Sequence, residues 1–329
     1  MDKRRYCTEG GRSDMTRDCQ QYETVQRAAA ITWAASKQTY YTIRFLVDRE
    51  RIGEAYLAYA YFRWLDDQLD QELMDAAARI VCLERQKALM ESCFRGAWPQ
   101  DASADERMLV ELIQSDPRPN SGLRLYIRNM MDVMAFDAHR RGRLIDQAEL
   151  TRYSRALAAA VTEALHYFVG HGCAAPRSEA RFLAATGAHI AHMLRDTLDD
   201  AAAGYFNIPR EVLEAHAVAP QDVDSDAYRT WVKGRVQTAR ACFDAGRDYL
   251  AQVANLRCRI AGHAYIGRFT GVLDAIEAEG YRLRSVYSER TSLRAGLSLI
   301  GSVLWLAFRP RKPGVSAVGA RMKLAEGEL

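Results

Sequence analysis

The sequence predicts an all-α protein folded as one helical domain, and three observations carry that prediction. Apolar residues recur at spacings of three and four along most of the chain, the period of amphipathic helices, and strand-like alternation is nearly absent. Alanine-rich stretches such as "SRALAAAVTEAL" and "ARFLAATGAHIAHML" favour the helix further. Hydrophobic residues fill 49% of the 329 positions, which supplies the apolar surface that a sizeable packed core needs.

The elements follow in order. Residues 1–20, "MDKRRYCTEGGRSDMTRDCQ", are polar and lack the apolar run of a secretory signal, so they read as a disordered lead-in. Periodicity then predicts helices at about 21–47, 50–70 and 72–95, the last ended by "RGAWPQDAS". Helices at about 104–115 and 119–139 are separated by "SDPRPNSG", and helices at about 146–169 and 177–202 by "GHGCAAPRS". "NIPRE" and "VAPQDVDSD" lead to helices at about 225–253, 257–278 and 281–308. No break has the length of an interdomain linker, so residues 21–308 read as one domain and 309–329 as a polar tail.

A net charge of +3 and the lack of a basic stripe interleaved with aromatics argue against a nucleic-acid partner. Seven cysteines without C-x-x-C spacing read as reduced thiols, which points to a cytoplasmic protein. No apolar run reaches the ~20 residues that span a bilayer. "LRAGLSLIGSVLWLAFRPRK", residues 293–312, has a shorter apolar run flanked by arginines and lysine. It is expected either to close the domain as a core helix or to rest on anionic lipid, as a peripheral contact at the inner face of the membrane.

Two stretches carry the chemistry. In "HIAHMLRDTLDD", His189, His192, Asp196, Asp199 and Asp200 fall within an arc of roughly 100° on one helix. That is the width of an apolar stripe, so the core-facing side turns acidic partway along. In "YAYFRWLDDQLD", Tyr56, Tyr59, Arg63, Asp66 and Asp70 share a face in the same manner, with Asp67 at its margin. A solvated acidic helix end explains either set taken alone. Both sets, however, continue inward as aromatic or apolar residues, and buried carboxylates need partners. Hard oxygen ligands of this kind suit Mg²⁺, which takes one or two carboxylates, waters and the oxygens of a bound phosphate. Lys37, Arg63 and Arg195 would balance the charge of a diphosphate held there.

"SKQTYYTIRFLVDRERIGEAYLAYAYFRWLDDQLD", followed by "LRDTLDDAAAGYFNIPREVL", resembles the squalene/phytoene synthase family, the head-to-head isoprenyl diphosphate synthases. The resemblance runs from about Ser36 to Tyr281, with weaker support from "IDQAELTRYSRALAAAV" and "VLDAIEAEGY". It implies an isoprenoid-synthase-type helical bundle around an apolar cavity. It also implies that Asp66, Asp70, Asp196 and Asp200 hold Mg²⁺ and diphosphate, that Ser36, Lys37, Arg63 and Arg195 contact the diphosphate, and that Tyr153 lies near the reacting centre. The implied reaction joins two prenyl diphosphates. Its carbocations call for walls such as Tyr40, Tyr56, Phe62, Tyr167, Phe168 and Phe269, whose π faces attract cations.

The chain also departs from the family pattern. His189 and His192 stand where Gln and Asn are usual, and "GYFNIP" puts Tyr205 and Asn207 where arginine and tyrosine are usual. Ala159 and Thr162 replace glycines of the middle block. His192 shares the arc of the acids and is therefore a candidate metal ligand, with Mn²⁺ as the alternative ion because imidazole favours softer metals than Mg²⁺. A same-fold terpene synthase or prenyl-transfer enzyme, ionising one prenyl diphosphate, is the alternative reading. A non-catalytic assembly-factor relative is a further one, against which the intact aspartates argue. No Gly-rich dinucleotide fingerprint is present, and use of NADPH as reductant stays open.

Overall fold

The computed structural model describes residues 9–71, 75–173 and 175–287, with side chains from residue 19 onward. These residues form eleven α-helices and two short 3-10 turns, with no strand among them. Where the sequence suggests one domain, the chain divides into two compact units between Ser121 and Gly122, inside "SDPRPNSG".

The first unit holds α1 (Glu9–Ala35), α2 (Lys37–Leu46), α3 (Ile52–Leu69), α4 (Ala76–Phe94) and α5 (Glu106–Gln114). Two expectations are corrected here. Residues 9–20 are helical backbone rather than a disordered lead-in, because extending a helix that already packs needs no new nucleus and no proline interrupts the segment. The expected helix 21–47 is broken at Ser36, whose backbone is extended and whose side chain accepts from the Thr39 N–H to cap α2. α3 packs against α1 and α5 and buries Tyr61, Leu65 and Leu69. The Tyr61 hydroxyl donates to Gln86 at 3.1 Å, and Gln86 donates to Glu106 at 2.9 Å. Arg85 grips the same carboxylate from its Nε at 2.6 Å. A buried acid is thereby fully partnered.

The second unit holds α6 (Gly122–Arg140), α7 (Gln147–Phe168), α8 (Leu183–Ala202), α9 (Arg210–His216), α10 (Asp226–Leu250) and α11 (Leu256–Ala278). α6 packs on α7, and α8 is central, with α7, α10 and α11 against it. α7 starts with a capping box, Asp146 and Glu149 each accepting from the other's backbone N–H. The α8–α10 approach is set by glycine. A Cβ on Gly187 would stand 2.9 Å from the Ala239 carbonyl oxygen and from the Phe243 ring, and one on Gly246 would stand 2.9 Å from the Ala184 backbone nitrogen.

α9 lies between two breaks where no helix was expected, with Pro209 at its N-cap position. The helix expected from 281 is also corrected over residues 281–287, which are not helical. Gly280 and Tyr281 both take a φ of 65° and turn the chain off α11. Residues 288–329, with the apolar segment 293–312 and the polar tail, lie outside the described residues, as do residues 1–8. No described helix is long and apolar enough to cross a membrane.

Candidate functional site

α3 presents its acids on the edge opposite its buried stripe. Arg63 lies across them: its Nε donates to Asp67 at 3.2 Å, its Nη2 donates to the other Asp67 oxygen, and its Nη1 reaches Asp66 at 3.4 Å. Asp70 closes the helix, its backbone N–H donating to the Asp66 carbonyl at 3.0 Å. One turn of helix therefore separates Asp66 from Asp70, as the spacing predicts. Ser36 and Lys37 stand at the N-terminus of α2, which packs on α3. The Lys37 ammonium lies 5.3 Å from the centroid of the Trp33 ring. Tyr40 stacks on Tyr56 with centroids 5.2 Å apart, within an aromatic group that includes Trp33 and Tyr41.

The α8 turn belongs to the second unit. Arg195 chelates Asp196 through its Nε and Nη2, and His192 Nε2 lies 2.9 Å from Asp196 Oδ2. Burial opposes ionisation of Asp196, but the Arg195 and His192 bonds outweigh it and hold the carboxyl well below the usual range. Asp200, one turn on, goes the other way. Burial, helped by the charge of Asp196, pushes its carboxyl up to about 6 against the hydrogen bond from Asn207. The same turn therefore shifts its two acids in opposite directions, Asp196 towards the anion and Asp200 towards the protonated form.

Asp200 also ends a hydrogen-bonded chain that local sequence patterns do not reveal. Asn207 Nδ2 donates to Asp200 Oδ2 at 2.6 Å, and Arg140 Nη1 donates to Asn207 Oδ1 at 2.9 Å. Arg140 Nε donates to Asp137 Oδ1 at 2.6 Å, and the Tyr153 hydroxyl donates to Asp137 Oδ2 at 3.0 Å. Tyr153 and the second acidic turn, both expected at the site, are thus brought together through three residues that were not. The Arg140 guanidinium is 5% exposed and lies about 5.1 Å from the Tyr153 and Tyr205 ring centroids. Tyr153 stacks on Phe136 at 4.7 Å, and burial, with the charge of Asp137 next, raises its hydroxyl well above the ordinary tyrosine value. Two signals in the sequence could have led to it: Asn207 standing where the family has tyrosine, and the charged end of α6 in "FDAHRR".

His189 packs edge-on to Tyr153, centroids 5.0 Å apart, and is 4% exposed. Neither ring nitrogen has a hydrogen-bond partner. Burial first, then the charges of His192, Arg235 and Arg140, keep it neutral.

Among the described residues no three His, Cys, Asp or Glu side chains gather closely enough to hold a metal ion. The expected trio of His192, Asp196 and Asp200 is therefore not a closed cluster, since His192 spends its Nε2 on Asp196. Two carboxylates one turn apart still fit a hard cation that takes most of its ligands from water and phosphate. Of the expected aromatic walls, Phe62, Tyr167 and Phe168 are core residues of their units, and Phe269 lies 6.1 Å from the His192 ring.

Comparison with known proteins adds to this geometry. Residues 33–296 match the model of the family described as squalene/phytoene synthase. A chloroplastic phytoene synthase of Daucus carota is 29% identical over 96 residues, 28% of this chain, and the match spans about a quarter (24%) of that relative's length. The fold is shared with the squalene synthase HpnC of Alicyclobacillus acidocaldarius at a TM-score of 0.65 and 21% identity, covering 81% of this chain and 97% of that one. A dehydrosqualene synthase solved with a ligand gives a TM-score of 0.66 at 14% identity, covering 87% and 97%.

Proposed function

Because the chain belongs to the squalene/phytoene synthase family, we propose that it is a Mg²⁺-dependent prenyltransferase joining two prenyl diphosphates head to head. The observation that carries this reading is the α8 turn, where Asp196 and Asp200 stand one turn apart at the end of a buried path to Tyr153. Asp66 and Asp70 on α3, and separately Asp196 and Asp200 on α8, are the carboxylates with which each acidic turn would hold metal, with His192 as a candidate nitrogen ligand on α8. Bound Mg²⁺ would neutralise diphosphate charge and make the group a better leaving group.

The chain's own residues do the rest. Ser36, Lys37, Arg63 and Arg195 bind phosphoryl oxygens, with the two guanidiniums supplying forked donors. The Tyr153 hydroxyl keeps its proton and donates it in a hydrogen bond to Asp137, which leaves the oxygen lone pairs and the ring as the electron-rich group for a developing cation. The buried rings exclude water that would otherwise quench that cation.

The test is incubation with geranyl, farnesyl and geranylgeranyl diphosphates, with and without Mg²⁺ and NADPH, reading diphosphate release and product mass together. The expected result is metal-dependent release and a product containing two prenyl units. Release without metal, or no release from any substrate, would overturn the reading. A product of one prenyl unit would establish the terpene-synthase alternative, which is favoured by His189 packing without a hydrogen bond against Tyr153 and by Asn207 holding Asp200. Peripheral contact of residues 293–312 with anionic lipid belongs to the same proposal, and vesicle cosedimentation tests it.

A further inference from the structure

α10 buries one stripe, which includes Val232, Val236, Ala239 and Phe243, and α8 packs along this helix. Arg235 stands in the middle of that stripe and is 8% exposed. Burial lowers its guanidinium only to about 10, so it stays charged. No carboxylate and no hydrogen-bond acceptor among the described residues engages it. Among the described residues the only acid that acts on it is the Cys242 thiol, which burial pushes up to about 11 and so leaves neutral. Its nitrogens keep a narrow access and are not sealed, but a charge set in an apolar stripe without an acidic partner is an unfavourable placement, and proteins retain one where something else completes it.

His189 shows the same deficit on the facing helix. It is 4% exposed, both ring nitrogens are buried, and neither is hydrogen-bonded. The two helices meet where Gly187, two residues before His189, stands against Ala239, one turn after Arg235, and the charges of Arg235 and Arg140 both act on the ring. Arg140 already has its Nε and Nη1 committed to Asp137 and Asn207. The two residues are short of the same kind of group. Arg235 can only donate, and a neutral imidazole donates through one nitrogen. The missing partner is an acceptor that carries negative charge. A forked guanidinium beside a single N–H donor suits a tetrahedral oxyanion, which accepts from several directions.

We propose that Arg235 and His189 form a phosphoryl-binding subsite inside the second unit, one that takes a phosphate or diphosphate group without help from a metal ion. The identity of the physiological ligand rests on the reading of the chain as an enzyme of prenyl diphosphates; the existence of the subsite does not. The subsite is separate from the acidic turns, which attract phosphoryl groups through a cation, whereas this pair attracts them directly.

The test titrates the full chain with inorganic pyrophosphate in EDTA, using wild type, Arg235→Met, Arg235→Lys and His189→Gln, with succinate as a carboxylate control. Wild type should bind one pyrophosphate per chain and ignore succinate. Arg235→Met should bind at least ~10-fold more weakly, and Arg235→Lys should fall between the two because it keeps charge and loses the fork. Without ligand, Arg235→Met should melt at a higher temperature than wild type, since it removes an uncompensated charge. Equal affinities in wild type and Arg235→Met, no metal-free binding by wild type, or a lower melting temperature for both Arg235 variants would overturn the proposal. Metal-free binding without prenyl turnover would sink the enzymatic reading and keep the subsite. Turnover without metal-free binding would do the reverse.

Discussion

Arg140 and Asn207, 67 positions apart in sequence, meet through a 2.9 Å hydrogen bond from Nη1 to Oδ1. That bond joins the last turn of α6 to the segment after α8. Asn207, itself 1% exposed, faces both ways: its amide nitrogen holds Asp200 and its oxygen is held by Arg140. The orientation of Asp200 therefore depends on a residue that touches neither acidic motif in sequence.

Asn207→Ala is accordingly expected to weaken divalent-metal binding by about 10-fold, the lower end of the usual loss when an outer hydrogen-bond partner of a ligand is removed. Mn²⁺ binding followed by electron paramagnetic resonance, without substrate, checks this. An unchanged dissociation constant would show that the Asn207 bond does not position Asp200.

Removing an acid itself should act more strongly. Asp66→Asn and Asp196→Asn should each lower the rate of diphosphate release from a prenyl diphosphate by at least ~10²-fold. In Asp196→Asn a single acceptor oxygen replaces the two that Arg195 and His192 engage. Wild-type rates in either variant would exclude that motif from the chemistry.

His192→Asn restores the residue usual in the family. If the imidazole ligates when metal is bound, wild type should reach half-maximal turnover at a lower Mn²⁺ concentration than the variant, while their Mg²⁺ requirements stay close. The same metal preference in both proteins would leave His192 as a hydrogen-bond partner of Asp196 alone.

A fourth prediction concerns stability in acid. The hydrogen bond from Arg85, working against burial, holds the Glu106 carboxyl at about 2, below the ordinary glutamate value. A depressed folded-state value means that the stabilisation is complete above about pH 5 and is lost as pH falls towards 2. Arg85 is 60% exposed, so solvent screening reduces the effect to about 2 kcal/mol. Between about pH 5 and pH 2, wild type should lose that much more unfolding free energy than Glu106→Gln. Parallel pH profiles in chemical denaturation would contradict this.

The acidic turns were legible because helical spacing alone places Asp66 with Asp70 and Asp196 with Asp200. The all-α class was legible for the same reason, since a period of 3.6 residues is a local signal. Asp137, Arg140 and Asn207 were not, because a contact across 67 residues leaves no periodic trace. Ser36 was read only as a contact for diphosphate, although serine is among the strongest helix N-caps and here breaks a helix in two. The short α9 leaves no clear trace because Pro209 in "NIPRE" reads as a break, while proline also serves at helix starts. The boundary at Ser121 fell in a break judged too short to separate anything. Chain length between units says little about how contacts partition within them.

Gly187 and Gly246 bring α8 and α10 so close that neither position has room for a methyl group without displacing the other helix. Mechanically the two helices are then a single beam: sliding one along the other would drive larger side chains into the spaces these glycines leave. A displacement of the Asp196–Asp200 turn must carry Arg235 with it. A push at the carboxylate end of the beam would therefore reach the guanidinium as translation of a solid body rather than as relaxation through a deformable core.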